Sequence, residues 1–190
     1  MIPPAVHSSR PEPVTMLKIC GSRDLPEGRL VVDDYVPFSF RAYERAIFGR
    51  FLCEIGDLKA SLFELRIDKG SGVVYGVTLV LYNQDFGDRL PPDYGTAQTI
   101  QGLPIVERGE LGFAGDISRQ PCDFRLVRGP DNYIAVLRDS IHAERCYKSG
   151  RVGFFEGHGE LSGIGFFDLT PAEMEKLVAL FQRLRPQAKL

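Results

Sequence analysis

Residues 151–184 read RVGFFEGHGELSGIGFFDLTPAEMEKLVALFQRL, and this stretch sets the fold class. Arg151–Glu156 and Leu161–Asp168 are two short runs rich in Phe, Val and Ile, separated by Gly157-His158-Gly159. A glycine-bearing loop of this length between such runs predicts a β-hairpin. Glycines at 153, 163 and 165 weaken strands, and predict bulges, or another backbone or the helix packed close against them. The stretch then changes period. Met174, Leu177, Val178, Phe181 and Leu184 recur at helical spacing and predict a helix from Pro171 to Leu184. Thr170 is placed to cap it, Pro171 suits the first helical position, and Glu173 completes a capping box three residues after the cap. Leu169 and Met174 are placed as a hydrophobic staple, and Pro186 ends the helix.

Working upstream, two further hairpins are expected. Leu62–Asp68 and Val73–Tyr82 flank Lys69-Gly70-Ser71-Gly72. Val73–Tyr82 is apolar on nearly both faces, which predicts a central strand. The apolar register of its partner shifts between Leu62 and Phe63, as a β-bulge would make it. Phe124–Arg128 and Tyr133–Arg138 form the third pair, across Gly129-Pro130-Asp131-Asn132. Met16–Cys20 and Arg29–Val32 read as short strands. Residues 39–55 place Phe40, Tyr43, Ile47, Phe51 and Ile55 at helical spacing, so a second helix is expected there, although Val36, Phe38 and Phe40 also alternate. The expected fold is α+β: a mainly antiparallel sheet of hairpins packed against the amphipathic C-terminal helix.

The chain has 190 residues, a length that suits one domain over 15–190. Residues 1–14 hold four prolines and few apolar groups, and are expected to form a disordered lead-in rather than a signal peptide. Asn83–Gly102 is polar and long, and reads as a mobile surface loop or a lid. No run approaches the roughly 18 apolar residues of a membrane span. Net charge is −2 and no basic block stands out, so neither nucleic acid nor a membrane surface is an expected partner. The four cysteines, Cys20, Cys53, Cys122 and Cys146, are widely spaced and read as free thiols of a soluble, cytoplasmic protein.

Three constellations could carry function. His142 and Cys146 lie at i and i+4, and share a face if residues 140–147 are helical; with His158 they would suit zinc, or a Cys nucleophile with a His base. If that segment is a strand, the two side chains sit about 13 Å apart and the pair is lost. Glu156 and Glu160 flank the Gly-His-Gly turn and could act as paired carboxylates. No spacing here matches a zinc or cofactor motif, and neither a metal nor a cofactor is expected. Arginine is the compositional outlier, with 17 Arg against six Lys. Phe40-Arg41-Ala42-Tyr43-Glu44-Arg45 interleaves it with aromatics, a mixture enriched at protein interfaces. The leading expectation is therefore a non-catalytic protein-binding module, of an inhibitor or immunity type. The alternatives are a hydrolase built on His142, Cys146, His158, Glu156 and Glu160, and a small-ligand-binding protein with a Phe- and Tyr-lined pocket.

Overall fold

A computed structural model describes residues 16–43, 46, 48–107, 109 and 115–184. The expected lead-in, residues 1–14, lies outside them. In chain order the strands of the first half are β1 (Ile19–Arg23), β2 (Arg29–Val31), β3 (Phe38–Arg41), β4 (Arg50–Ile55), β5 (Ser61–Asp68), β6 (Val74–Tyr82) and β7 (Gln98–Gln101). Those of the second half are β8 (Leu103–Val106), β9 (Ile117–Gln120), β10 (Arg125–Arg128), β11 (Tyr133–Val136), β12 (Arg145–Ser149), β13 (Val152–Gly157) and β14 (Glu160–Phe166). The helix α1 spans Pro171–Leu184.

The strands form two six-stranded sheets. The N-terminal sheet runs β2-β3-β6-β5-β4-β9 and the C-terminal sheet runs β10-β11-β14-β13-β12-β7. These orders are the same pattern written twice: a hairpin, then a three-stranded meander whose last strand returns beside the hairpin. In each sheet the sixth strand is added in parallel at the meander edge, β9 on β4 and β7 on β12, and all other pairs are antiparallel. The added strands are exchanged. β7 follows the N-terminal meander yet joins the C-terminal sheet, and β9 precedes the C-terminal hairpin yet joins the N-terminal one. The ribbon β1-β8 bridges both sheets, through Val73–Ile105 on one side and Lys18–Glu160 on the other.

Alternation explains why these segments are strands. Along β5, Phe63, Leu65 and Ile67 are buried while Leu62, Glu64 and Arg66 face outward. The inner faces pack together, with Phe38 of the N-terminal sheet stacked at 4.0 Å on Phe166 of the C-terminal sheet. The helix fills the seam between the sheets. Phe181 lies 6.1 Å from Tyr82 and 5.7 Å from Tyr133, which belong to opposite sheets.

The three expected hairpins form, and the register shifts between Leu62 and Phe63 as the apolar pattern required. β6 is central. The helix has the expected bounds, but Leu180 is buried where Val178 and Leu184 are only partly covered. Residues 39–55 are a correction: Phe38–Arg41 and Arg50–Ile55 are strands, not a second helix. Phe51, Cys53 and Ile55 continue the alternation begun by Phe38 and Phe40, and all five reach the core. A single sheet was expected, and the chain makes a sandwich of two.

The cap is formed as read. Glu173 N–H donates to Thr170 Oγ1 at 3.3 Å, and Thr170 N–H donates to Glu173 Oε2 at 2.9 Å. Arg151 clasps the same carboxylate through two nitrogens, at 3.2 and 2.6 Å. The Arg151 hydrogen bonds lead, and with the Thr170 bonds they hold the Glu173 pKa below its ordinary 4.5. A depressed carboxyl pKa contributes stability above the unfolded pKa, which is lost as pH falls through the folded one. Glu173→Gln is expected to cost about 1 kcal/mol at pH 7, the scale of a lost cap. Urea titrations of both proteins should converge as pH drops below the ordinary glutamate range. An undiminished difference in acid would show that Glu173 acts through packing alone.

Candidate functional site

The expected His/Cys/Glu cluster is dispersed by the fold. Residues 142–144 are irregular and Arg145–Ser149 is β12, so the helical turn that would have paired His142 with Cys146 does not form. Cys146 is 5% exposed on the outer side of the C-terminal sheet, and burial pushes its thiol up to about 11. The His142 side chain is 82% exposed, with Nδ1 3.6 Å from Asp93. His158 sits at the tip of the β13–β14 turn, where its φ is +54°, and its Nδ1 lies 3.1 Å from Glu144. Among the described residues, no hydrogen bond or ion pair joins the Cys146 sulfur to either imidazole.

The carboxylates also part. Glu156 pairs across the ladder with Leu161, and Glu160 with Gly157, so successive positions set the two side chains on opposite faces. Glu156 is 1% exposed and fully engaged. Gly159 N–H donates to its Oε1 at 2.6 Å and Arg145 to its Oε2 at 3.1 Å. Glu160 accepts from Arg138 at 2.9 Å. Among the described residues no three His, Cys, Asp or Glu side chains gather as metal ligands. The cysteines form no disulfide. Cys53 and Cys122 carry thiols raised to about 12 and about 11, chiefly by burial.

The long segment Asn83–Gly102 is not a free loop. It carries a short 3₁₀ helix, Pro92–Gly95, and all of β7. It lies as a strap on the outer face of the C-terminal sheet. Tyr94 packs 4.6 Å from Phe155 and donates its hydroxyl to Ser162 O at 2.7 Å. The glycines of β13 and β14 make room for it. A Cβ on Gly163 would meet the Tyr94 ring at 2.6 Å, and Cβ atoms on Gly153 and Gly165 would meet Phe167. The close approach at those glycines is made by the side chains of Tyr94 and Phe167, rather than by another backbone or the helix.

The outer face of the N-terminal sheet is different: it holds an open groove of about 660 Å³. Alternation on adjacent strands aims Arg29 of β2, Arg41 of β3 and Arg66 of β5 into it, because Arg29 pairs with Arg41, Arg41 with Gly76, and Gly76 with Arg66. Arg66 is the anchored member. Its Nη1 donates to Thr78 Oγ1 at 2.9 Å, and Glu64 stands at 4.0 Å. Burial lowers its pKa, and the like charge of Arg41 lowers it further. Neither Arg29 nor Arg41 forms an ion pair with a described residue. Tyr43, stacked at 4.5 Å on Tyr75, closes one side of the groove, and burial raises its hydroxyl pKa to about 12. Glu27 and Asp33 also line the groove, and Asp33 accepts the Tyr35 N–H.

Of these residues, Arg41 and Tyr43 fall in the Arg-aromatic run that the sequence singled out. Arg29 and Arg66 carried no such mark, since only strand pairing brings them beside Arg41. No protein-family model matches the chain, and no curated protein is significantly similar to it in sequence. No described helix is long and apolar enough to cross a membrane.

Proposed function

We propose that the protein is a non-catalytic protein-binding module that engages its partner through the groove on the N-terminal sheet. The observation that carries this reading is the convergence of Arg29, Arg41 and Arg66 in one open concavity, with two of the three lacking an ion pair among the described residues. A guanidinium presents a planar fork that matches a carboxylate, and loses little freedom when it does so. Tyr43 adds rigid apolar area of the kind enriched in interface cores. Such a module acts by occupying its partner, as an inhibitor or immunity-type protein does. Four unpaired thiols support a reducing, cytoplasmic setting.

The test is capture of a stoichiometric partner on the immobilised protein. Arg41→Glu places a like charge against an acidic partner and is expected to weaken the complex more than tenfold, or about 2 kcal/mol. Lys59→Glu, on the β4–β5 turn away from the groove, should leave it unchanged. A complex indifferent to Arg41→Glu would move the binding surface elsewhere. The groove's volume also falls in the range of small-molecule sites, which supports a second reading: a small anionic ligand held by the same three arginines.

A further inference from the structure

We infer that the groove receives an extended acidic segment of the partner polypeptide, laid across the N-terminal sheet as the chain's own strap is laid across the C-terminal sheet. This rests on the binding-module reading and names what the groove holds.

The repeated topology allows the two outer faces to be compared position by position. In the C-terminal sheet, Arg125 pairs with Val136, Val136 with Gly163, and Gly163 with Phe155. In the N-terminal sheet, Arg29 pairs with Arg41, Arg41 with Gly76, and Gly76 with Arg66. Each set runs across the same four strands of the pattern, and each has a glycine at the same place. On the C-terminal sheet that glycine is a bare strip under the Tyr94 ring. The strap is fixed around it by polar contacts. Arg125 Nη1 donates to the Arg89 carbonyl at 2.6 Å, Gly87 N–H donates to Leu126 O at 2.9 Å, and the Asp93 carboxylate accepts the Ala143 N–H.

On the N-terminal sheet no ring lies as close to the equivalent glycine, Gly76, as Tyr94 lies to Gly163. The three nearest atoms to a Cβ on Gly76 belong to its own sheet, Phe40 O at 3.2 Å and two atoms of the Arg66 side chain at 3.4 Å. Arg29 stands where Arg125 holds the strap's backbone. The apolar Val136 and Phe155 are replaced by Arg41 and Arg66. A segment occupying this face therefore meets a backbone clamp, a position free of a side chain at Gly76 beside Arg66, and two guanidinium groups in place of apolar side chains. An extended chain bearing carboxylates beside an aromatic residue complements all three. The two terminal stretches outside the described residues offer little of this chemistry: residues 1–15 contain one carboxylate, Glu12, and residues 185–190 contain no acidic side chain.

The test uses the ¹⁵N-labelled full chain and three probes of similar charge: the blocked pentapeptide Glu-Asp-Tyr-Asp-Glu, its Tyr→Ala version, and tripolyphosphate. The tyrosine peptide is expected to shift the amides of Ser39, Arg41, Arg66, Gly76 and Thr78. The alanine version should bind at least fivefold more weakly, and tripolyphosphate at least tenfold. Arg66→Gln should weaken the peptide at least tenfold; should that variant misfold, the exposed Arg29→Gln gives the same comparison with a fivefold loss. Tripolyphosphate binding as well as the peptide at these residues would overturn the segment and make the groove a small-anion site. Absence of peptide-induced shifts at millimolar concentration would also overturn it. In either case, loss of the captured partner on Arg41→Glu would leave the binding-module reading standing, and its retention would remove that reading too.

Discussion

Phe166→Ala is expected to cost about 4 kcal/mol, in the range for emptying a fully buried aromatic site. Phe166 is wholly buried. Its ring stacks on Phe38 at 4.0 Å with planes 3° apart, and lies 6.3 Å from Phe63. Both neighbours belong to the opposite sheet, so the substitution removes the contact at which the two layers meet. The surrounding backbone is held in two ladders, β11 on one side and β13 on the other, and cannot collapse far into the void. A domain of this size has roughly 5–15 kcal/mol of total stability, so the variant should unfold at a markedly lower urea concentration, with Tm down by about 10 °C. Tyr35→Ala is the contrast. That ring is 84% exposed, and its loss should stay within about 0.5 kcal/mol. A cost below 1 kcal/mol for Phe166→Ala would mean that the inner faces do not pack against each other.

What could be read from the residues follows the range of the interactions that create each feature. The Thr170–Glu173 box, the Gly-His-Gly turn and the shift at Leu62–Phe63 are made by neighbours in sequence, and all stand as read. The division into two sheets depends on β7 reaching β12 and β9 reaching β4, parallel pairs that join residues more than 45 positions apart. No local pattern announces them. Residues 39–55 fit both periods because Phe40, Phe51 and Ile55 serve either one; the core contacts across the sandwich chose the strand. The strap looked like loop because its composition is polar, while Tyr94, the ladder partners of β7 and hydrogen bonds to residues distant in sequence tie it down.

The groove shows the same division. An excess of arginine and the Arg41–Tyr43 run pointed toward a binding surface. Arg29 and Arg66, 12 and 25 positions away from Arg41, join it through the β2-β3-β6-β5 order alone. The His142, Cys146 and His158 grouping had the converse fate. It was close in sequence, and the β12 strand buried its thiol on the outer face of the C-terminal sheet beside Phe155 while both imidazoles stayed in solvent.

The repeated topology makes a paired expectation for Gly163 and Gly76, which occupy the same place in the two sheets. Gly163→Ala should cost on the order of 2–3 kcal/mol, as overpacking of a filled site does. The new methyl would stand 2.6 Å from the Tyr94 ring and 2.8 Å from the Ala135 carbonyl oxygen. The carbonyl is fixed in the β11–β14 ladder, so the ring is what must leave. Displacing Tyr94 also breaks its hydroxyl bond to Ser162 O and loosens the strap as far as Arg89, so trypsin should cut after Arg89 several times faster than in the unaltered protein. At Gly76 the closest atoms are at 3.2 and 3.4 Å, and the latter belong to the long Arg66 side chain. Alanine there also restricts the unfolded chain, and the net change should lie within about 0.5 kcal/mol. Stability therefore separates the two glycines, and ligand binding separates them in the opposite sense: a methyl at Gly76 fills the strip on which an incoming segment lies, while one at Gly163 leaves the groove untouched. Equal destabilisation at both positions would mean that the N-terminal face is as fully packed as the C-terminal one, and that it offers no room for a partner.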